Sequence, residues 1–353
     1  DMGLIGAWLG SLYHGVLLVI MSPLAFLSRP QRWLWALHRY RGSISAAPNF
    51  GYELCLGRIE DSELEGLDLS HWRVAFNGAE AVSPQTLQRF SERFAPYGFQ
   101  AESMYPVYGL AESSLGVSFP PLGRGPLVDR IEREAFMQSG QALPTEHAGE
   151  DALRFVACGM PLPGHQVRIT DSRDREQPER REGHVQIRGP SVTSGYYRNP
   201  EATRSLFRGD WLDSGDLGYI ADGELYITGR AKDVIIRAGR NIYPQELEEN
   251  IGALDGIRKG CVAVFGSRDA ASETERLVVM AETRKKDPDR LEALRQTINS
   301  RVTDLLGTPP DEILLTPPNT ILKTSSGKIR RAASRRLFEN WQLEESPSSP
   351  GWQ

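Results

Sequence analysis

Between Leu217 and Leu254 the spacing of apolar positions changes from strand-like to helix-like. Leu217 to Ala221 and Glu224 to Thr228 are short runs rich in Tyr and Ile, which predicts two strands. Asp222-Gly223 lies between them, a pair that tolerates the positive φ angles of a tight hairpin turn. Gly229-Arg230 ends the hairpin, and Val234 to Ile236 is a third apolar run. Pro244 then stands where a first helical residue would, with Leu247, Ile251 and Leu254 on one helical face. The pattern leaves Asp216 just before the hairpin and Arg230 just after it. A carboxylate there can accept hydrogen bonds from vicinal hydroxyls, as acidic residues do with ribose. A surface ion pair at the base of a hairpin is the alternative.

The same patterning predicts the rest of the chain. Leu4 to Ser28 carries no charged residue. Ser11, His14, Gly15, Ser22 and Pro23 interrupt it, so it falls short of the ~20 apolar residues of a membrane span. It reads as a buried helix to about His14 and a buried strand from Val16 to Met21, the uninterrupted kind found in covered parallel sheets. Trp33, Leu34, Leu37 and Tyr40 mark a helix, Ser43 to Ala46 a strand, and Pro48 opens another helix. Trp72 to Phe76 is a strand ending in Asn77-Gly78-Ala79-Glu80, followed by a helix from Pro84 to Phe94. This alternation implies α/β layering.

Phe119 to Ala152 differs in texture: Gly/Pro punctuation, mixed charge and few apolar residues predict an insertion with a short helix outside the core. Val156 to Gly159, Gln166 to Thr170 and His184 to Arg188 read as strands of a small β subdomain. Beyond residue 230 the pattern is α+β. Cys261 to Phe265, Leu277 to Ala281 and Glu312 to Leu315 are strands. Asp287 caps a helix with Leu291, Leu294, Ile298, Val302 and Leu305 on its inner face. The Ser/Pro-rich end reads as disordered.

Composition narrows the function classes. A length of 353 residues favours two parts. A net charge of -5 argues against nucleic acid or an anionic membrane as the main partner. Cys55, Cys158 and Cys261 lie far apart, form no metal or redox pair, and point to a reducing, cytoplasmic setting. Neither HExxH nor GxSxG occurs.

Two further stretches carry chemistry. In Met104-Tyr105-Pro106-Val107-Tyr108-Gly109-Leu110-Ala111-Glu112, an aromatic beside a glycine can stack a purine, and a carboxylate can hold magnesium beside phosphates. In Ile321-Leu322-Lys323-Thr324-Ser325-Ser326-Gly327-Lys328-Ile329-Arg330 the P-loop's first glycine is missing, so this is no P-loop. Arg330, Arg331, Arg335 and Arg336 could form a nucleic-acid patch, but no aromatic lies among them for base stacking.

Taken together, SGDLG, GELYITGRAKDVI, GRNIYPQELE, NGAE, YGLAE and KTSSGKIR resemble the motifs of the adenylate-forming superfamily, from Asp1 to about Trp341. That superfamily includes acyl-CoA synthetases, fatty acyl-AMP ligases and peptide-synthetase adenylation domains. The resemblance implies an α/β fold: a large, partial N-terminal domain over 1–229, with 119–152 as its insertion, and a smaller mobile α+β lid over 230–341. The disordered tail is then 342–353. It implies that Asp216 and Arg230 bind the ATP ribose, that Asn77, Gly78, Ala79 and Glu80 meet adenine, and that Tyr108 and Gly109 pack on it. Glu112 is implied as the Mg2+ ligand, Lys232 as the hinge within 230–232, and Lys328 as the catalytic lysine of adenylation. Ala111 stands where many members have a phosphate-binding threonine, whereas fatty acyl-AMP ligases commonly read YGLAE. The expected activity is ATP-dependent conversion of a fatty acid to fatty acyl-AMP, passed to the phosphopantetheine thiol of a carrier protein or fused carrier domain. Fatty acyl-CoA synthesis, with CoA as acceptor, is the alternative. Nothing here matches the family's Ser/Thr/Gly-rich phosphate loop, so a truncated, non-catalytic acyl- or partner-binding module stays open, and residues 1–353 alone are expected to bind acyl adenylate without ATP-dependent activity.

Overall fold

A computed structural model describes residues 1–146, 152–237, 239–268, 275–324 and 327–345. The chain divides into two compact units, one of Asp1–Phe136 with Gly140–Ala231, the other of Lys232–Gln353 with Met137–Ser139. None of its described helices is long and apolar enough to cross a membrane.

In the first unit a parallel sheet runs in the order Ile44–Ala47, Val74–Asn77, Met104–Pro106. Helices Gln31–Tyr40, Asn49–Arg58 and Pro84–Phe94 pack with it. The last follows directly from its sequence. Ser83 caps it by accepting from the Thr86 amide, Pro84 occupies the first turn, and Leu87, Phe90 and Phe94 are buried at helical spacing. Trp72, Tyr52 and Phe90 are fully buried in the shared core. A second sheet carries the small β subdomain: Phe207–Arg208, Trp211–Ala221, Gly183–Arg188 and Gln166–Thr170, with Glu224–Arg230 also paired to the Trp211–Ala221 strand.

Three expectations are corrected here. The apolar start of the chain is helical from Met2 to His14 but not buried, and residues 16–21 form no strand. Leu17 and Ile20 are 75% and 79% exposed. A strand exists only with a ladder partner, and no described strand pairs with this run; Ile44–Ala47 pairs with Val74–Asn77 alone. The insertion does hold the expected short helix, Arg133–Ser139, yet it is not a surface loop. Val128–Glu132 pairs with Ala152–Val156, which displaces the strand expected at Val156 to Gly159, and Ile131 and Phe136 are fully buried. Phe136 meets Tyr219 edge-on at 5.9 Å, and Asp129 Oδ2 accepts from the Tyr219 hydroxyl at 2.7 Å. A few well-placed apolar residues suffice to dock a segment whose mean polarity is high. Residues 147–151 of the insertion lie outside the described residues. At the end of the chain, helix Arg331–Glu345 runs into the stretch expected to be disordered, of which 346–353 lie outside the described residues.

The second unit is α+β. Ile257–Arg268 and Glu275–Thr283 are antiparallel, and Glu312–Thr316 adds in parallel. Asp287 caps helix Pro288–Leu306 through the Arg290 amide, and Leu294, Ile298, Val302 and Leu305 are buried as their spacing predicts. Arg331, nearly buried, spans two carboxylates: Asp233 at 2.9 Å and Glu248 at 2.6 Å.

Candidate active site

The hairpin builds the first wall of a cavity. Asp222 and Gly223 both take positive φ, at 52° and 77°, the two-residue turn their chemistry favours. That turn sets the register from Ala221–Glu224 to Gly218–Ile227, and a bulge between Leu217 and Gly218 then shifts it by one residue, which places Asp216 directly opposite Arg230. Arg230 Nε lies 3.2 Å from Asp216 Oδ1, and the Tyr108 hydroxyl donates to Asp216 Oδ2 at 2.7 Å. Asp216 is only 8% exposed, whereas the Arg230 side chain is 55% exposed. The ion pair alone is therefore weak, and the buried hydrogen bond does more to fix the carboxylate. Burial, and secondarily the Asp216 charge, pushes the Tyr108 phenol well above its ordinary range, so it remains a donor.

The opposite wall is the turn that carries Glu112. Strand Tyr108–Leu110 pairs with Leu115–Phe119, and the chain reverses through Ala111–Ser113. The reversal is strained: Ser114 and Leu115 both have positive φ, at 48° and 95°. It also requires glycine at 109, because a Cβ there would sit 1.7 Å from the Leu115 carbonyl oxygen. Glu112 Oε1 accepts from the Tyr196 hydroxyl at 2.6 Å, and its carbonyl accepts from the Thr193 amide at 2.7 Å. The hydrogen bond to Glu112 is the main reason the Tyr196 phenol is raised.

Between these walls lies a cavity of about 790 Å3, whose lining includes Leu110, Glu112, Tyr196, Ser214, Gly215 and Arg230. Asp216 and Tyr108 stand behind the lining. Asn77 ends its parallel strand fully buried, bonded through Nδ2 to Asn49 Oδ1 at 3.1 Å. Its own Oδ1 has no hydrogen-bond partner among the described residues. Ala79 has φ 72°, and a Cβ on Gly78 would lie 2.8 Å from the Val107 carbonyl oxygen. The Asn77–Glu80 loop is thus a strained turn at a strand's carboxyl end, outside the lining of this cavity.

Lys232 and Lys328 belong to the second unit. The Lys328 amide donates to Thr324 Oγ1 at 3.1 Å, and an isolated bridge joins Lys323 to Ile329; residues 325 and 326 lie outside the described residues. Sequence reasoning missed Tyr196. Gly195-Tyr196-Tyr197 continues the family's motif pattern, but as an aromatic pair outside any apolar period it gives no sign of a site role.

As a magnesium site, Glu112 offers one carboxylate whose Oε2 has no hydrogen bond among the described residues. No group of three or more His, Cys, Asp or Glu placed for a metal occurs among them. This donor set fits magnesium held mainly by substrate phosphates and water, which commonly needs only one or two carboxylates.

Residues 1–197 match the sequence model described as AMP-binding enzyme. A medium-chain-fatty-acid–[acyl-carrier-protein] ligase of Moorena producens is 37% identical over 363 residues, covering 98% of this chain and 60% of that protein. A 4-hydroxyphenylalkanoate adenylyltransferase of Mycobacterium bovis is 37% identical over 361 residues, covering 95% and 56%. A solved structure from a study of fatty acyl-adenylate ligases of E. coli and L. pneumophila superposes with TM-score 0.91 at 36% identity, covering 98% of this chain and 61% of that one. The chain spans little more than half the length of the curated relatives it matches.

Proposed function

The chain belongs to the AMP-binding enzyme family and has the α/β fold of adenylate-forming enzymes; from that premise we propose that its cavity holds the nucleotide in the conversion of a fatty acid to fatty acyl-AMP. The observation that carries this reading is the Tyr108–Asp216–Arg230 arrangement behind one wall, facing Glu112 and Tyr196 across the cavity. A ribose offers two vicinal hydroxyls, and Asp216, fixed by Tyr108, accepts from them. Arg230 stays exposed enough to reach the same sugar. The Asn77–Glu80 loop, beyond the cavity lining at the end of the parallel sheet, the usual ligand position in such sheets, is proposed to extend the site to adenine.

In the reaction the fatty acid carboxylate attacks the α-phosphorus of ATP. The new P–O bond makes the acyl adenylate, and the broken one releases pyrophosphate. Magnesium bound at Glu112 would neutralise charge on the phosphates. Lys328 is the cation proposed for the charge gathered between nucleophile and α-phosphate. Lys232 is proposed as the hinge about which the second unit turns between steps. The acyl group then passes to a carrier-protein phosphopantetheine thiol, with AMP leaving. The relative named for acyl-carrier-protein ligation supports this acceptor.

The nucleotide site is proposed for this chain, the whole reaction for a protein of the relatives' length carrying it. In such a protein, fatty-acid-dependent pyrophosphate exchange should fall about 100-fold or more in Lys328→Ala, while transfer from preformed acyl adenylate survives. Near-normal exchange in the variant would remove Lys328 from the mechanism.

A further inference from the structure

The strained turn that carries Glu112 is gripped by a second loop, and that loop is itself anchored by a histidine. Ser191 Oγ donates to the Ser113 carbonyl at 2.7 Å, Ser114 Oγ donates to the Ser191 carbonyl at 3.0 Å, and the Thr193 amide donates to the Glu112 carbonyl at 2.7 Å. Residues 191–193 therefore hold three consecutive residues of the turn, 112–114, and Tyr196 on the same loop reaches the Glu112 carboxylate. His165 Nε2 lies 2.7 Å from Ser191 Oγ.

The hydrogens can be assigned. A carbonyl only accepts, so the one hydroxyl hydrogen of Ser191 goes to Ser113 O. His165 Nε2 must then be the donor to Ser191 Oγ; the reverse would leave two oxygens 2.7 Å apart with no hydrogen between them. Ser113 Oγ, 3.2 Å away and fully buried, fills the remaining lone pair of Ser191. The hydroxyl's capacity of one donor and two acceptors is complete. The other histidine nitrogen, Nδ1, lies 3.3 Å from the Pro163 carbonyl. The ring lies over Gly189, where a Cβ would come within 2.3 Å of His165 Cδ2.

We propose that His165 is a positioning residue for Glu112. Its Nε2–H fixes the Ser191 hydroxyl, and through the 191–193 loop it holds the left-handed Ser114–Leu115 turn that presents the Glu112 carboxylate to the cavity. The clamp is read from geometry; its consequence for nucleotides rests on the proposed function. Under that reading His165 matters to the metal-bearing phosphates and not to the ribose side.

The test uses the chain as it is, with His165→Ala, His165→Gln and Gly189→Ala. Glutamine places an N–H donor where Nε2–H stands; alanine at 189 expels the ring without altering His165. Amide hydrogen exchange at Ser114 and Thr193 should quicken about fivefold in His165→Ala and Gly189→Ala, the loss of roughly one hydrogen bond, and return toward the wild-type rate in His165→Gln. The affinity for ATP with magnesium should fall about fivefold in the first two variants, with AMP affinity unchanged and glutamine restoring both. Unchanged exchange in His165→Ala overturns the clamp. Equal weakening of AMP and ATP, or failure of glutamine to rescue, reduces His165 to general support of the fold and also overturns it. If the unaltered chain bound neither nucleotide, the proposed function would fall, and the exchange rates would still decide the clamp.

Discussion

The two walls of the cavity are built in opposite ways. The Asp216 wall is a hairpin whose register is set by a two-residue turn and one bulge close in sequence, and its carboxylate is buried against a buried phenol. The Glu112 wall is a strained reversal held by a loop some eighty residues further on, and half-buried Glu112 lines the cavity. The group proposed for the sugar, which is the same in ATP and AMP, stands on the rigid wall. The group proposed for the metal and the departing pyrophosphate stands on the wall held by a few breakable hydrogen bonds. Under the proposed reaction, in which pyrophosphate leaves and AMP stays, that asymmetry has a use.

The largest effect should come where both walls share a part. Gly109→Ala puts a Cβ into the Leu115 carbonyl. The strand pair that carries Tyr108 and opens the Glu112 turn must then separate, at a cost of about 3 kcal/mol. Urea unfolding should show the loss; a change below about 0.5 kcal/mol would mean the reversal is soft and the description of it wrong.

Next comes the rigid wall alone. Asp216→Ala leaves the buried Tyr108 hydroxyl without its acceptor and should destabilise the first unit by about 2 kcal/mol. Asp216→Asn keeps an acceptor and should lose less than half of that, as measured by the same unfolding curves.

The looser wall gives a smaller effect. Tyr196→Phe removes one exposed hydrogen bond from Glu112, so ATP affinity in the presence of magnesium should fall by no more than about fivefold. AMP affinity should not change. Titration calorimetry reads both, and a parallel loss of AMP would place Tyr196 on the sugar side instead.

The smallest effect is alkaline. Burial raises the Tyr108 phenol well above its ordinary range and brings the Tyr226 phenol to about 12. The unfolded chain loses these protons near pH ~10, before the folded chain does. Stability is therefore full below that pH and declines as pH rises beyond it. Tyr108→Phe should make the decline shallower, while Tyr196→Phe, at the exposed wall, should leave it nearly unchanged.

The rigid wall was also the legible one. Asp222-Gly223 and the flanking Tyr/Ile runs specify the hairpin locally, so Asp216 and Arg230 stand out at its base by spacing, while their ribose role comes from the resemblance and the bulge that pairs them is not visible in the pattern. Pro84 and Asp287 likewise mark the starts of their helices. The looser wall was half legible: Glu112 stands in a recognisable motif, but its partner Tyr196 is 84 positions away, where no periodicity connects them. Leu4 to Ser28 was misread for a related reason. Apolar composition says that a segment can be buried in a sheet, and only a neighbouring strand makes it so. Phe119 to Ala152 failed in the opposite sense, because Ile131 and Phe136 outweigh the polar residues around them.

The central claim is that the cavity lined by Arg230 and Glu112, with Asp216 behind the lining, holds an adenosine monophosphate unit. Calorimetric titration of AMP into the purified chain and into Asp216→Ala tests it most directly. Saturable one-to-one binding by the unaltered chain, weakened about tenfold or more in the variant, is the predicted result, since a hydrogen bond to a buried charge is worth about 1.5 to 3 kcal/mol. No binding by the unaltered chain, or equal affinity in the two proteins, would contradict it.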